Sequence, residues 1–185
     1  MSECFFGRRV APVCAAVLVL AAMSGTAQSR SLNTVEKAAL STAVAALNTA
    51  MQNGNFDYVV GNMPPKMVHF FAANSNVPID EFRQNVIRKF AEMKSSGVLE
   101  SYVLDLSTAQ TKELPNGMPY VLLPTTTIMQ HEGKHYKSSY YTIALLDGGK
   151  WYTDRIGKEM ALLQAYPEFA GVEFPQGTTE IVDHK

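Results

Sequence analysis

At Val98 the apolar residues of this chain change their period, and that change constrains the fold more than any other feature of the sequence. Before it they recur at helical spacing. After it they alternate, as the two-residue repeat of a pleated strand requires. A sheet built from the later part has a face that needs covering, and the early helices are the amphipathic elements available to cover it. The expected fold class is α+β, with N-terminal helices packed on a curved antiparallel sheet of about four strands.

The helical half carries its own punctuation. Asn33 can cap a helix over Ser31 to Gln52, and Glu36 three residues later can complete a capping box. Val35, Ala39, Ala43, Leu47 and Met51 repeat every four residues, Leu40, Val44 and Ala50 widen the stripe, and Gly54 suits a left-handed stop. On either side of Pro64-Pro65, Phe56, Val59, Val60 and Met63 suit one short helical stretch, and Met67, Phe70 and Phe71 another. Asp80 opens a further helix through about Ser95. Its buried line is Phe82, Val86, Phe90 and Met93, with Arg83, Lys89 and Lys94 on the wet side.

The strand half reads as a meander. Strands are expected at Val98 to Ser107, Met118 to Gln130, His135 to Leu146 and Lys150 to Ile156. Turns fall at Leu114-Pro115-Asn116-Gly117, His131-Glu132-Gly133-Lys134 and Asp147-Gly148-Gly149. Pro124, inside the second strand, argues for a bulge or an edge position. Short turns make the strands antiparallel neighbours, right-handed twist curls the sheet, and the helices close the mouth of the curl. A cavity or a filled core then lies between them. The tail, Gly157 to Lys185, holds a helical pattern from Glu159 to Tyr166, and Pro167, Pro175 and Gly177 suggest an irregular wrap beyond it.

Residues Met1 to Ala27 read as a secretory signal. Arg8 and Arg9 supply a positive start, Val10 to Met23 is an uncharged apolar run, and Ser24-Gly25-Thr26-Ala27 offers small residues for cleavage after Ala27. The run is 14 residues long, short of the roughly 20 that a spanning helix needs. Residues 28–185 then form a single α+β domain with an irregular C-terminal tail, periplasmic or secreted, with no membrane contact beyond the cleaved signal. Both cysteines, Cys4 and Cys14, leave with the signal, so the mature chain has neither a disulfide nor a thiolate. A formal net charge of -1 gives no reason to expect nucleic acid as a partner.

The element order from Asn33 to Ile156, closing on Gly148-Gly149-Lys150-Trp151-Tyr152-Thr153-Asp154, resembles the nuclear transport factor 2-like superfamily, with its SnoaL-like and ketosteroid-isomerase-like domains. The resemblance implies a cone-shaped, cystatin-like roll. It implies no single activity, since the superfamily includes isomerases, hydratases, binding modules and subunit adaptors.

Little in the chain reads as a catalytic apparatus. No Gly-x-Ser-x-Gly elbow and no Gly-rich phosphate loop is present, and no cofactor is expected. His131 and His135 flank a turn containing Glu132, but a solvated hairpin tip is the stronger reading, because no helical HExxH spacing supports a metal. Ketosteroid-isomerase-like relatives set a carboxylate base and tyrosine donors inside an apolar cone. Asp105, Asp154, Tyr58, Tyr102, Tyr120, Tyr140 and Tyr141 are of the right types, yet none matches that catalytic set residue by residue. Asp105 points away from Leu104 and Leu106, toward solvent. His69 sits in an apolar run as a half-buried histidine or as a group lining the cone mouth. Trp151 reads first as cross-strand packing and second as a stacking platform. Met51, Met63, Met67 and Met93 read as gap-filling core or as an adaptable pocket wall.

The ligand-pocket candidates are therefore Tyr58, His69, Tyr102, Tyr141, Trp151 and Asp154, with no catalytic residue and no metal ligand assigned. The leading functional reading is a binding module for a small apolar ligand or a protein partner. The alternative is a cone-pocket lyase or isomerase with a carboxylate or histidine base. Apolar positions Val103, Val121 and Ile143 on the sheet's outer face would permit a homodimer. Export of the chain should leave a product that begins at Gln28, which the intact mass of protein recovered outside the cytoplasm checks.

Overall fold

The computed structural model describes residues 31–157 and 159–183, and the segment read as a signal peptide lies outside them. The first helix, α1 (Thr34–Asn53), starts as expected. Asn33 Oδ1 accepts from the Glu36 N–H at 2.8 Å, and the Glu36 carboxylate accepts from the Asn33 N–H at 3.0 Å. Gly54 ends it at φ 72°, in the left-handed region where a Cβ would be strained.

Its buried stripe is Leu40, Val44, Leu47, Ala50 and Met51, whereas Val35 is 78% exposed and Ala39 faces solvent. The expected line through Val35 and Ala39 fails for a geometric reason. Each four-residue step overshoots a turn by about 40°, so Val35 and Met51 lie about 160° apart around the axis. After α1 come α2 (Phe56–Gly61), α3 (Pro65–Asn74), which starts at the proline pair, and α4 (Ile79–Ser95). Among the described residues no helix is long and apolar enough to cross a membrane.

The sheet has six strands: β1 (Leu99–Leu104), β2 (Gln110–Glu113), β3 (Pro119–His131), β4 (Lys134–Asp147), β5 (Lys150–Arg155) and β6 (Thr178–Val182). Two long strands, β3 and β4, form its spine. β2 and then β1 pair with the outer edge of β3, while β5 and β6 divide the outer edge of β4. The sheet is therefore four strands wide at any level. It curls strongly into a half-barrel, in keeping with a cone-like fold.

Two-residue turns close both hairpins, with Glu132 at φ 51° and Gly133 at φ 73° in the first, and Gly148 at φ 58° and Gly149 at φ 80° in the second. Pro124 causes no bulge. Its carbonyl accepts from the Asp105 N–H at 2.8 Å, so its backbone groups face the edge where β2 stops and β1 begins. The missing N–H falls in that gap and breaks no ladder bond. The irregularity lies in β1 instead, where the register shifts between Leu99 and Ser101.

Both faces of the spine are buried. On one, Val121, Leu123 and Ala144 pack with Leu104 and Trp151 against Leu40, Val44 and Leu47 of α1. On the other, Tyr120, Leu122, Ile143 and Leu145 pack under the C-terminal segment. That segment contributes Ala161 and Leu162 from α5 (Glu159–Ala165), then Tyr166, Phe169 and Phe174. The tail thus covers the outer face and ends as strand β6. This corrects both the irregular wrap and the dimer surface read from the sequence. Val121 and Ile143 lie on opposite faces, each about 1% exposed or less, and only Val103, 45% exposed, reaches solvent.

Four hydrogen bonds fasten the helices to the sheet. The Asn48 side chain accepts from the Leu104 N–H at 2.9 Å and donates to its carbonyl at 3.0 Å, as a neighbouring strand would. Trp151 Nε1 donates to the Glu36 carbonyl at 3.1 Å, and the Thr153 N–H to the Asn62 carbonyl at 2.9 Å. Truncating Asn48 strands two partly buried backbone groups. Asn48→Ala should lower the unfolding free energy by about 1–3 kcal/mol in urea titrations. On the exposed side of the same helix, Thr49→Ala should stay within about 0.5 kcal/mol.

Candidate functional site

α1 fills only part of the concave face. Over the rest, α2, α3 and α4 arch above β1, β3 and β4 around a half-open cavity of about 690 Å³. That is within the size range of pockets for drug-sized ligands. The roof comes from α4, where Phe82, Val86, Phe90 and Met93 face the space. Not one residue of α4 is fully buried, although its apolar face is well formed. Its roof residues stay half-buried because their packing is one-sided: Phe90 and Met93 rest on the cluster of Met51, Phe56 and Leu99, and the rest of the face borders the open space. Aromatic pairs hold the arch at both ends: Phe82 stacks on Phe71 of α3 at 6.0 Å, and Phe90 on Phe56 of α2 at 5.6 Å.

The walls include Met51, Met63, Met67 and Met129. Thioether side chains are unbranched and polarisable, so they follow the outline of whatever they touch. The floor is polar. Tyr102 of β1, Thr127 of β3, Tyr140 and Thr142 of β4 and Thr153 of β5 reach it from four strands. The hydroxyls of Thr127 and Tyr140 lie 2.8 Å apart, as do those of Thr125 and Thr142. Tyr102 lies beside Thr142 in the same floor.

Burial pushes the Tyr102 phenol well above its ordinary value, and the nearby Tyr140 and Asp154 push it the same way, against a smaller opposing effect of the Thr142 hydroxyl. Burial also raises the Tyr140 phenol, partly offset by its bond to Thr127 and by the Arg155 charge. Both rings therefore present neutral hydroxyls. A neutral phenol both donates and accepts a hydrogen bond, which suits a carbonyl or hydroxyl brought in on an apolar body.

Of the six residues singled out from the sequence, the structure brings two to this cavity. Tyr102 is in the floor and Asp154 borders it. Strand alternation sets the Asp154 side chain opposite those of Thr153 and Arg155, and its Oδ1 accepts from the Arg155 N–H at 2.8 Å. Tyr58 and Trp151 pack in the core beneath α1, and Tyr141 packs with the core under the tail. His69 is exposed, because α3 buries Met67, Val68 and Ala72 on its other side. Asp105 sits outside the cavity, where the hydroxyl and amide of Ser107 and the hydroxyl of Thr108 hold its carboxyl below the usual range.

The direct pairing of His131 with Lys134 and of Gln130 with His135 puts the two histidines on opposite faces. His135 Nδ1 lies 3.0 Å from Glu100 Oε2. Among the described residues no three His, Cys, Asp or Glu side chains gather as a metal site.

The sequence reading missed Thr127, Thr142, Thr153 and Arg155. Their signal was present in the register, because the two hairpin turns fix which alternate positions of β3, β4 and β5 share the face of Tyr102.

A phenol whose folded-state value is raised stabilises the fold below its unfolded value, near 10, and that stability is lost as pH rises beyond it. Urea unfolding between pH 8 and 11 should therefore show a steep alkaline loss. Tyr102→Phe should flatten part of it, leaving the share of Tyr120, Tyr140 and Tyr166, whose phenols burial also raises. No protein-family model, curated protein or solved structure matches this chain, which leaves the cavity's own geometry to carry the function.

Proposed function

We propose that this chain is a binding module that holds a small, mostly apolar ligand in the cavity between α4 and the curled sheet. One observation carries the reading: α4 keeps a continuous apolar face with no fully buried residue above about 690 Å³ of space. An amphipathic helix normally buries that face. Filling the cavity would remove the half-buried side chains from water, which contributes about 25 cal/mol per Å². The hydroxyls of Tyr102 and Tyr140 would orient the ligand's polar group.

The leader read in residues 1–27 supports a periplasmic or secreted location for this binding. The helices-then-curled-sheet arrangement supports the resemblance to the nuclear transport factor 2-like superfamily.

A lyase or isomerase would need a base aimed into the cavity. Among the described residues that line it, the one carboxylate is Asp154, whose side chain alternation turns to the other face, and His69 is not among them. The binding reading is favoured on that ground.

The test uses the neutral fluorophore N-phenyl-1-naphthylamine and the purified mature chain. The wild type should bind it, and Val86→Trp, which places an indole in the roof, should weaken binding about tenfold or more while thermal unfolding shows the fold retained. Failure of the wild type to bind, or undiminished binding by a folded Val86→Trp, would overturn the proposal.

A further inference from the structure

β5 ends in a cation, Arg155, that no acid answers among the described residues. Arg155 follows Thr153 by two residues and so shares its concave face, and pairing with Thr142 sets it beside Tyr140. Its guanidinium carbon lies 4.0 Å from the Tyr140 ring centroid, stacked on the face of the ring. That ring is held in turn by its hydroxyl contact with Thr127 at 2.8 Å. The guanidinium thus rests on the ring while Arg155 remains exposed to solvent. Among the described residues no carboxylate makes an ion pair with it, and none of its side-chain N–H groups has a hydrogen-bond partner. The nearest acid in sequence, Asp154, projects to the other face of the strand.

The position of this cation is as informative as its lack of partners. Beyond it lies a second recess of about 730 Å³, between the end of α3, β4 and residues 175–179. Phe71, Tyr140, Arg155 and Gly157 belong to the walls of both spaces. The recess is more polar than the cavity, with Asn74, Ser138, Ser139, Gln164, Gln176 and Thr178 in its lining beside Phe70, Ile156 and Pro175. An arginine at such a junction meets an apolar body on one side and hydrated space on the other. Its planar fork of N–H donors matches the two oxygens of a carboxylate or the oxygens of a phosphate or sulfate.

We infer that the ligand is an amphipathic anion, with its apolar body in the cavity beneath α4 and its anionic oxygens on Arg155 at the junction with the polar recess. This rests on the cavity being a ligand site and adds the chemical class of the ligand. An anion there is held by charge-assisted hydrogen bonds without leaving water, because its outer oxygens face the recess. A neutral analogue of the same length gains the apolar contacts and forgoes the charged one.

Displacement of N-phenyl-1-naphthylamine from the mature protein at pH 8 separates these contributions, with dodecanoate, 1-dodecanol and dodecyltrimethylammonium as competitors. Dodecanoate should compete about tenfold or more better than 1-dodecanol, and the quaternary ammonium worst of the three. Arg155→Gln should remove the advantage of dodecanoate over 1-dodecanol, while Arg155→Lys should keep part of it. Equal competition by dodecanoate and 1-dodecanol in the wild type, or an advantage that survives Arg155→Gln, would overturn the anion assignment and leave the cavity reading standing. Absence of reporter binding in the wild type would remove the cavity reading and this one with it.

Discussion

A one-residue slip between β3 and β4 would turn one of the two strands over against the other. Thr127, Tyr140 and Thr142 face the cavity in the observed register, and Leu122, Ile143 and Leu145 face the core under the tail. Because side chains alternate, a slip that turned β4 over would aim Ile143 and Leu145 at α1, and Tyr140 and Thr142 at the aromatic residues of the C-terminal segment. Nothing else in the fold could correct that. The register is held by two turns of two residues each, both in left-handed conformation, and by burial on both faces of the spine. Glu132 is the one non-glycine among those four turn residues, so the sequence accepts a locally unfavourable backbone there in order to keep the turn short.

The same sheet meets two different coverings on its concave side. α1 is rich in alanine and lies close, so Leu40, Val44 and Leu47 reach the strands and fill the space. α4 stands off. Its aromatic pairs with Phe56 and Phe71 set most of it on α2 and α3, it meets the sheet near Leu99 of β1, and the volume below the remainder stays open. A fully buried Phe or Val contributes about 1.5–3 kcal/mol, so four half-buried roof residues leave part of that stabilisation unrealised in the empty protein. On the binding reading proposed above, a ligand would supply the missing contacts, and the stability given up in the roof would return as affinity for apolar matter.

How much of this was legible in the sequence follows from where the information resides. The cap at Asn33, the stop at Gly54, the long strands and their turns are local signals and were read where they stand. β2 and β6 were not. They pair through backbone hydrogen bonds at sheet edges, and their mostly polar, exposed side chains, Gln110 to Glu113 and Thr178 to Val182, carry no apolar alternation. The roof of the cavity was visible as the apolar face of α4, but its emptiness was not, because periodicity reports which residues turn inward and not what they meet. In the floor, Tyr102 was within reach and the threonines were not, since a buried threonine looks in sequence like any β-branched strand residue. Tyr58 and Trp151 have the composition of pocket residues. They pack into the α1 core because the closely laid helix covers them first.

The chemistry at the far end of the floor follows from the parity of β5. Trp151, Thr153 and Arg155 alternate with Tyr152 and Asp154, and Trp151 is committed to the α1 side by its bond to the Glu36 carbonyl. Given that commitment, Thr153 and Arg155 must share the concave face and Asp154 must leave it. A cation and not a carboxylate therefore meets whatever the cavity holds. The tail then fixes what lies outside that cation. At Gly177 a Cβ would come within 2.9 Å of the Tyr140 Cβ and 3.0 Å of the Ser139 carbonyl, so only glycine lets the chain lie this close before β6 begins. That close approach brings residues 175–179 into the wall of the polar recess beside Arg155. A strand parity set at one end of β5 and a missing Cβ in the tail thus place one arginine between an apolar space and a wet one.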